Sequence, residues 1–236
     1  MRRLLLLLLV GAVATSLTAT VGAARSVSRA AIEGSSSAGV PVVRCPTVEP
    51  VVIHRVVPHI LAVLGASSST RGLDAYTNNG FAYLIGPAGM NCWGIQAVDG
   101  GSQVVAWPRG HSKPTTHARY AGLTISLDPA CVSCKAADAC PFFSQFSNGL
   151  GFGCSTGIPA GERVYGLRSN VALFEDPPGI PGDGWPSGGP DPANGLVGLN
   201  TSVSQDPAVF RSTCTLPAVQ RWVCTVSLND VLARYG

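Results

Sequence analysis

The densest group of reactive side chains in this 236-residue chain is CVSCKAADAC at 131–140, with Cys154 following soon after. Four thiols so spaced have three chemical uses. As a metal site they read C-x-x-C followed by two isolated cysteines, whereas zinc knuckles supply two tight pairs. As a redox pair, Cys131 and Cys134 need a helix N-terminus, where the dipole lowers the thiol pKa. KAADA can begin such a helix, but no βαβ pattern surrounds it. As disulfides, the thiols need an even count and an oxidising compartment. The full set is Cys45, Cys92, Cys131, Cys134, Cys140, Cys154, Cys214 and Cys224, eight in all. Structural disulfides therefore account for the cluster best, and no metal or other cofactor is expected.

Nucleophile motifs are weaker. Gly153-Cys154-Ser155-Thr156-Gly157 matches G-x-S-x-G, but that elbow needs a helix directly after the Ser. Ile158-Pro159-Ala160-Gly161 follows instead, so the glycines read as a turn beside a disulfide. Cys92-Trp93 resembles the Cys-Trp pair of papain-like and transglutaminase-like nucleophiles, with His111 and His117 downstream. WGIQAV reads as a strand rather than a helix start, and a free Cys92 leaves an odd number of cysteines. His54 with His59, and His111 with His117, lack the i, i+4 spacing of a helical zinc site. Asp176, Asp183 and Asp191 do not follow an EF-hand and read as solvated turn carboxylates. No residue is assigned as catalytic. Among the four tryptophans, Trp185 lies in a Pro/Gly-rich loop where burying an indole is difficult, which makes it a candidate contact with a protein or glycan.

The compartment comes from the N-terminus. Met1-Arg2-Arg3 is a basic start, an apolar run begins at Leu4, and TATVGAA offers Val21 and Ala23 to a signal peptidase. Residues 1–24 read as a signal peptide; the alternative is an uncleaved anchor, since about 20 apolar residues cross a bilayer. Either way the remainder is exported. Arg2 and Arg3 leave with the leader, so 14 of the 16 basic residues face 13 acidic ones. No basic cluster remains to track a phosphate backbone, and neither nucleic acid nor a membrane beyond the leader is expected as a partner.

The elements that position these groups are short. With 28 Gly and 18 Pro, the chain favours strands joined by turns over long helices. Residues 25–39 read as a flexible tether and 40–236 as a single domain. VPVVRC and VVIHRVV are β-rich, and HILAVL before the loop at 65–72 suits a single helical turn. FAYLI, CWGIQAV, SQVVAWP and RYAGLTISL read as strands, with DGG marking a hairpin. GERVYGLRSNVALFED reads as one long strand or a bent pair. Residues 176–195 read as an extended surface loop, followed by strands at GLVGLNTSV and VQRWVCTVSL. Ser227 is placed to cap a short C-terminal helix, LNDVLARY. The expected fold is mainly β, a β-sandwich-like or irregular β-rich α+β domain with few short helices, stabilised by disulfides.

Eight cysteines allow about a hundred pairings. Cys214 and Cys224 frame TLPAVQRWV, which suits a turn returning into the strand around Trp222. Local pairing within the 131–154 cluster leaves Cys45 for Cys92. Within the cluster, Cys131 and Cys134 pair either with each other or outward with Cys140 and Cys154; only the former leaves redox chemistry open.

The run FAYLIGPAGMNCWGIQAVDGGSQVVAWP, the CVSCKAADAC cluster, GERV, FEDPPG with PANG, and the CTLP…C end resemble a family of exported, cysteine-rich proteins from high-GC Gram-positive bacteria. The resemblance spans residues 76–236. It implies export and cysteine pairing, and carries over no activity and no catalytic residue. The sequence thus points to a secreted or cell-envelope protein with a binding or structural role. A secreted hydrolase using Cys92 or Ser155 is the alternative.

Overall fold

The computed structural model describes residues 39–48, 55–65, 69–98, 100–113, 122–128, 139, 141–143, 157–184, 189–200 and 208–236. The leader and tether (apart from Gly39), the cluster Cys131, Cys134, Cys140 and Cys154, and Ser155, His54, His117 and Trp185 lie outside them.

Among the described residues, twelve strands form two mixed sheets. β1 (Gly39–Arg44), β3 (Ile60–Ala62), β4 (Leu73–Thr77) and β5 (Tyr83–Pro87) make a four-stranded sheet in the order β3-β1-β4-β5. The larger sheet takes β2 (Thr47–Val48), β6 (Asn91–Gln96), β7 (Ser102–Trp107), β8 (Leu123–Asp128), β9 (Arg163–Arg168), β10 (Val171–Asp176), β11 (Ala193–Asn200) and β12 (Ala208–Cys214). Its order is β2-β6-β7-β8-β12-β11-β10-β9. β1–β4 and β2–β6 pair in parallel; the other pairs are antiparallel. The mainly β expectation is met.

One core is shared by both sheets and a C-terminal helix. Tyr76, Leu84 and Ile85 enter it from the small sheet, Val104, Leu123, Ile125 and Phe210 from the large one, and Val223 and Val231 from the helix. On β7 the alternate residues Val105 and Trp107 turn to the opposite face and pack with Trp93. Both faces of this strand are therefore covered, which explains why SQVVAW is apolar almost throughout. The β6–β7 hairpin closes as DGG suggests: Ala97 N–H donates to Gly101 O at 2.8 Å, and Gly100 takes φ 89°.

Two glycines in β11 have a steric cause. A Cβ on Gly195 would lie 1.8 Å from the Phe174 ring, and one on Gly198 would lie 2.0 Å from the Phe210 ring. Each glycine is the direct cross-strand partner of its phenylalanine. The rings lie across bare backbone that any side chain would displace.

The C-terminal end corrects the sequence reading. VQRWVCTVSL is not a strand: a 3-10 turn (Ala218–Gln220) leads into helix α1 (Arg221–Tyr235). Val223, Cys224, Ser227, Leu228, Asp230 and Val231 are buried at three- and four-residue spacing, so tertiary burial overrides the β preference of Val and Thr. Ser227 is a buried mid-helix residue rather than a cap, and no side chain caps the N-terminus. The other end is anchored firmly. Asp230, fully buried, accepts Leu64 N–H at 2.7 Å and pairs with Arg234 Nε at 2.7 Å, while Arg234 Nη2 also donates to Ala62 O. Burial raises the Asp230 pKa, opposed by Arg234 and the Leu64 N–H.

Other differences are smaller. HILAVL supplies strand β3 rather than a helical turn, and Arg55–Val57 belong to no strand. β4 and β12 answer to no expected strand. GERVYGLRSNVALFED is the bent pair, β9 and β10, with a register shift at Val171/Ala172.

Candidate functional site

Both expected bridges among the described cysteines are formed, Cys45–Cys92 and Cys214–Cys224. Cys92 lies on β6, and its sulfur is bonded to Cys45, so the thiolate that a Cys92 nucleophile requires is consumed. His59 and His111 are both exposed. Trp93 and Trp107 are buried, with Trp107 Nε1 donating to His111 O at 3.2 Å and the Lys113 ammonium 4.7 Å above Trp93. Trp222 is 45% exposed on α1.

Among the described residues, the β9–β10 hairpin builds two features of interest. The first is an open groove of about 250 Å³ between this hairpin, β11 and α1. Cross-strand partners Tyr165 and Leu173 lie on one face of the sheet and line the groove together with Leu228 and Thr225 of the helix. Glu175, Asn194, Arg221 and Asn229 supply polar groups along it. Tyr165 is 49% exposed, although it sits beside buried apolar residues. An aromatic ring left half in water next to convergent amides and charges is a surface suited to contact.

The second feature is a carboxylate cluster at the open end of the same hairpin. Arg163 pairs with Glu175, so Glu162 and Asp176 fall opposite one another. The loop after β10 turns back over them. Asp183 N–H donates to Glu162 Oε2 at 2.6 Å, and Gly184 N–H donates to Asp176 Oδ2 at 2.7 Å. Arg211 of β12 reaches Asp183 O at 2.7 Å and Asp183 Oδ1 at 3.5 Å, with its guanidinium 5.5 Å above the Phe174 ring. Burial, the hydrogen bond to Asp176 and the charges of Asp183 and Asp176 push Glu162 up to about 8, against the pull of the Asp183 N–H.

This corrects two expectations. Asp176 is 1% exposed rather than a solvated turn carboxylate, and Asp183 is paired with Arg211. The loop at 176–195 is also not simply extended over the surface: Gly182, Gly189 and Pro192 are buried, and Gly179 N–H donates to Gly189 O at 2.8 Å. Sequence reasoning passed over Glu162 and Tyr165 altogether. The signal was present, because reading GERVYGLRSNVALFED as a folded-back pair about Ser169 already sets Glu162 against Asp176. Among the described residues, no group of three or more His, Cys, Asp or Glu is arranged to hold a metal ion.

Comparison with protein-family models, with curated proteins and with solved structures found no match. Function must therefore be argued from the chemistry of the groove and the cluster themselves.

Proposed function

We propose that this is a secreted or cell-envelope protein that acts by binding, and that a glycan is the ligand its groove fits best. The observation that carries the reading is half-exposed Tyr165 in an open groove with Glu175, Asn194, Arg221 and Asn229 around it. The face of a phenol ring packs on the C–H face of a sugar, while carboxylate, amide and guanidinium groups bond its hydroxyls. The volume, about 250 Å³, accommodates one sugar ring and falls below the ~300–1,000 Å³ of pockets that enclose drug-sized ligands. The leader-like residues 1–24 and the oxidised cysteine pairs support export, since such bridges persist in oxidising compartments.

The test is binding of the oxidised protein to an array of microbial and host glycans, followed by titration of the best binder with wild type and Tyr165→Ala. Loss of an aromatic contact should weaken binding by about tenfold or more, equivalent to about 1.4 kcal/mol. Equal affinity of the variant, or an array with no bound glycan, defeats the reading.

A further inference from the structure

Residues 182–184 lie directly on the carboxylates at the open end of the β9–β10 hairpin. A Cβ on Gly182 would fall 1.9 Å from Asp176 Oδ1, so only a bare backbone lies this close. The next two N–H groups, of Asp183 and Gly184, each donate to a carboxylate oxygen, one of Glu162 and one of Asp176. Arg211 then holds the Asp183 carbonyl from β12, on the far side of β11. Asp183 and Gly184 are thus hydrogen-bonded to side chains in or next to the sheet, and Gly182 lies close against one of them.

We propose that Glu162 and Asp176 form an acid-tightened latch on this loop, in which one proton held between the two carboxyls keeps residues 182–184 down and its loss frees them. Among the described residues, the charged groups around Glu162 are Asp176 at the end of β10 and Asp183 in the loop, with Arg211 on β12 paired to Asp183. With the proton in place, two carboxylates face one guanidinium. Without it there are three, and the added charge sits half-buried beside like charges.

The direction with pH follows from Glu162, whose value in the closed loop, about 8, lies above the ordinary 4.5. A raised value means that the latch is fully formed below about 4.5 and is lost progressively as pH rises to about 8. The opening equilibrium therefore climbs by at most about tenfold per pH unit through that window and levels above it. Solvent reaching the part-exposed Glu162 reduces the slope without reversing it.

Hydrogen exchange of the full oxidised protein tests this, read by mass spectrometry on peptides covering 177–192 from pH 5 to 9 and corrected for intrinsic exchange rates. We expect the wild-type opening equilibrium to rise by about tenfold or more between pH 5 and 8. Glu162→Gln, a neutral group that still donates to Asp176, should keep the loop closed with no such rise. A smaller wild-type rise, or a variant with the wild-type slope, overturns the proposal. If Glu162→Gln does not fold, carbon-13 NMR of the wild-type carboxyls decides. A Glu162 midpoint above about 6 supports the latch, and one at or below it overturns it.

Discussion

Removing the Cys45–Cys92 bridge tests what holds the two sheets together. Cys45 sits between β1 of the small sheet and β2 of the large one, where the chain changes sheets, and Cys92 belongs to β6, the partner of β2. The bridge spans 47 residues, against 10 for Cys214–Cys224. In the chain-entropy relation, closing the longer loop restricts the unfolded chain by about 4 kcal/mol and the shorter one by about 3. Cys45, Cys214 and Cys224 are buried and Cys92 is partly so, so sulfur lost from packing adds a similar increment to both double variants.

Cys45→Ala/Cys92→Ala should therefore lose about 1 kcal/mol more than Cys214→Ala/Cys224→Ala. Urea unfolding monitored by tryptophan fluorescence, with the other cysteines kept oxidised, measures the difference. The slope with urea should also rise more in the first variant, because the longer freed loop exposes more surface when unfolded. A larger loss from the short bridge, with slopes unchanged, refutes the loop argument and assigns the stabilisation to local packing around α1. Alkylation of Cys92 in the native wild type would separately contradict the bridge.

Two further substitutions probe the packing. Gly195→Ala places a methyl inside the Phe174 ring position and should lower stability by about 1–3 kcal/mol, seen as a fall of several degrees in thermal midpoint, with Phe174→Leu/Gly195→Ala recovering part of it. Asn78→Ala removes a fully buried amide whose Nδ2 donates to Ile95 O at 2.8 Å and Ser102 Oγ at 2.7 Å, and whose Oδ1 accepts Ala82 N–H at 3.1 Å. Because this amide pins the β4–β5 turn to the β6–β7 hairpin of the other sheet, about 2–3 kcal/mol should be lost in urea unfolding.

The readable parts of the fold were those whose pattern is local. DGG with alternating residues gave the β6–β7 hairpin, and β-branched runs gave β1, β7 and β8. β4 and β12 were invisible for a shared reason: each is a central strand with polar residues inside it. LDAYT carries Asp74, and its buried Thr77 bonds to Ala82 O. AVFRSTC carries buried Ser212, whose hydroxyl donates to Thr124 O on β8. Their polarity is satisfied by neighbours outside the strand itself, so no window along the strand reveals it. The groove was hidden similarly, since Tyr165 lines it together with residues of α1; of the latch, only the Glu162–Asp176 pairing was local, and the loop that Glu162 meets lies some 20 residues further on.

The helix shows how such long-range terms select a structure against local preference. Val223, Thr225 and Val226 favour strands, the start has no side-chain cap, and an isolated helix of 15 residues is marginal in water even with better formers. Three tertiary contacts reverse the balance. Cys224 is bonded to Cys214 at the end of β12, which fixes the first turn against the large sheet. Asp230 and Arg234 fasten the last turns to Ala62 and Leu64 beside the small sheet. Tyr235 Oη accepts Tyr83 N–H on β5, and burial pushes its hydroxyl up to about 12. A helix tied to both sheets also fixes one wall of the groove that Tyr165 lines, and the Cys214–Cys224 bridge holds the first turn of that wall in place.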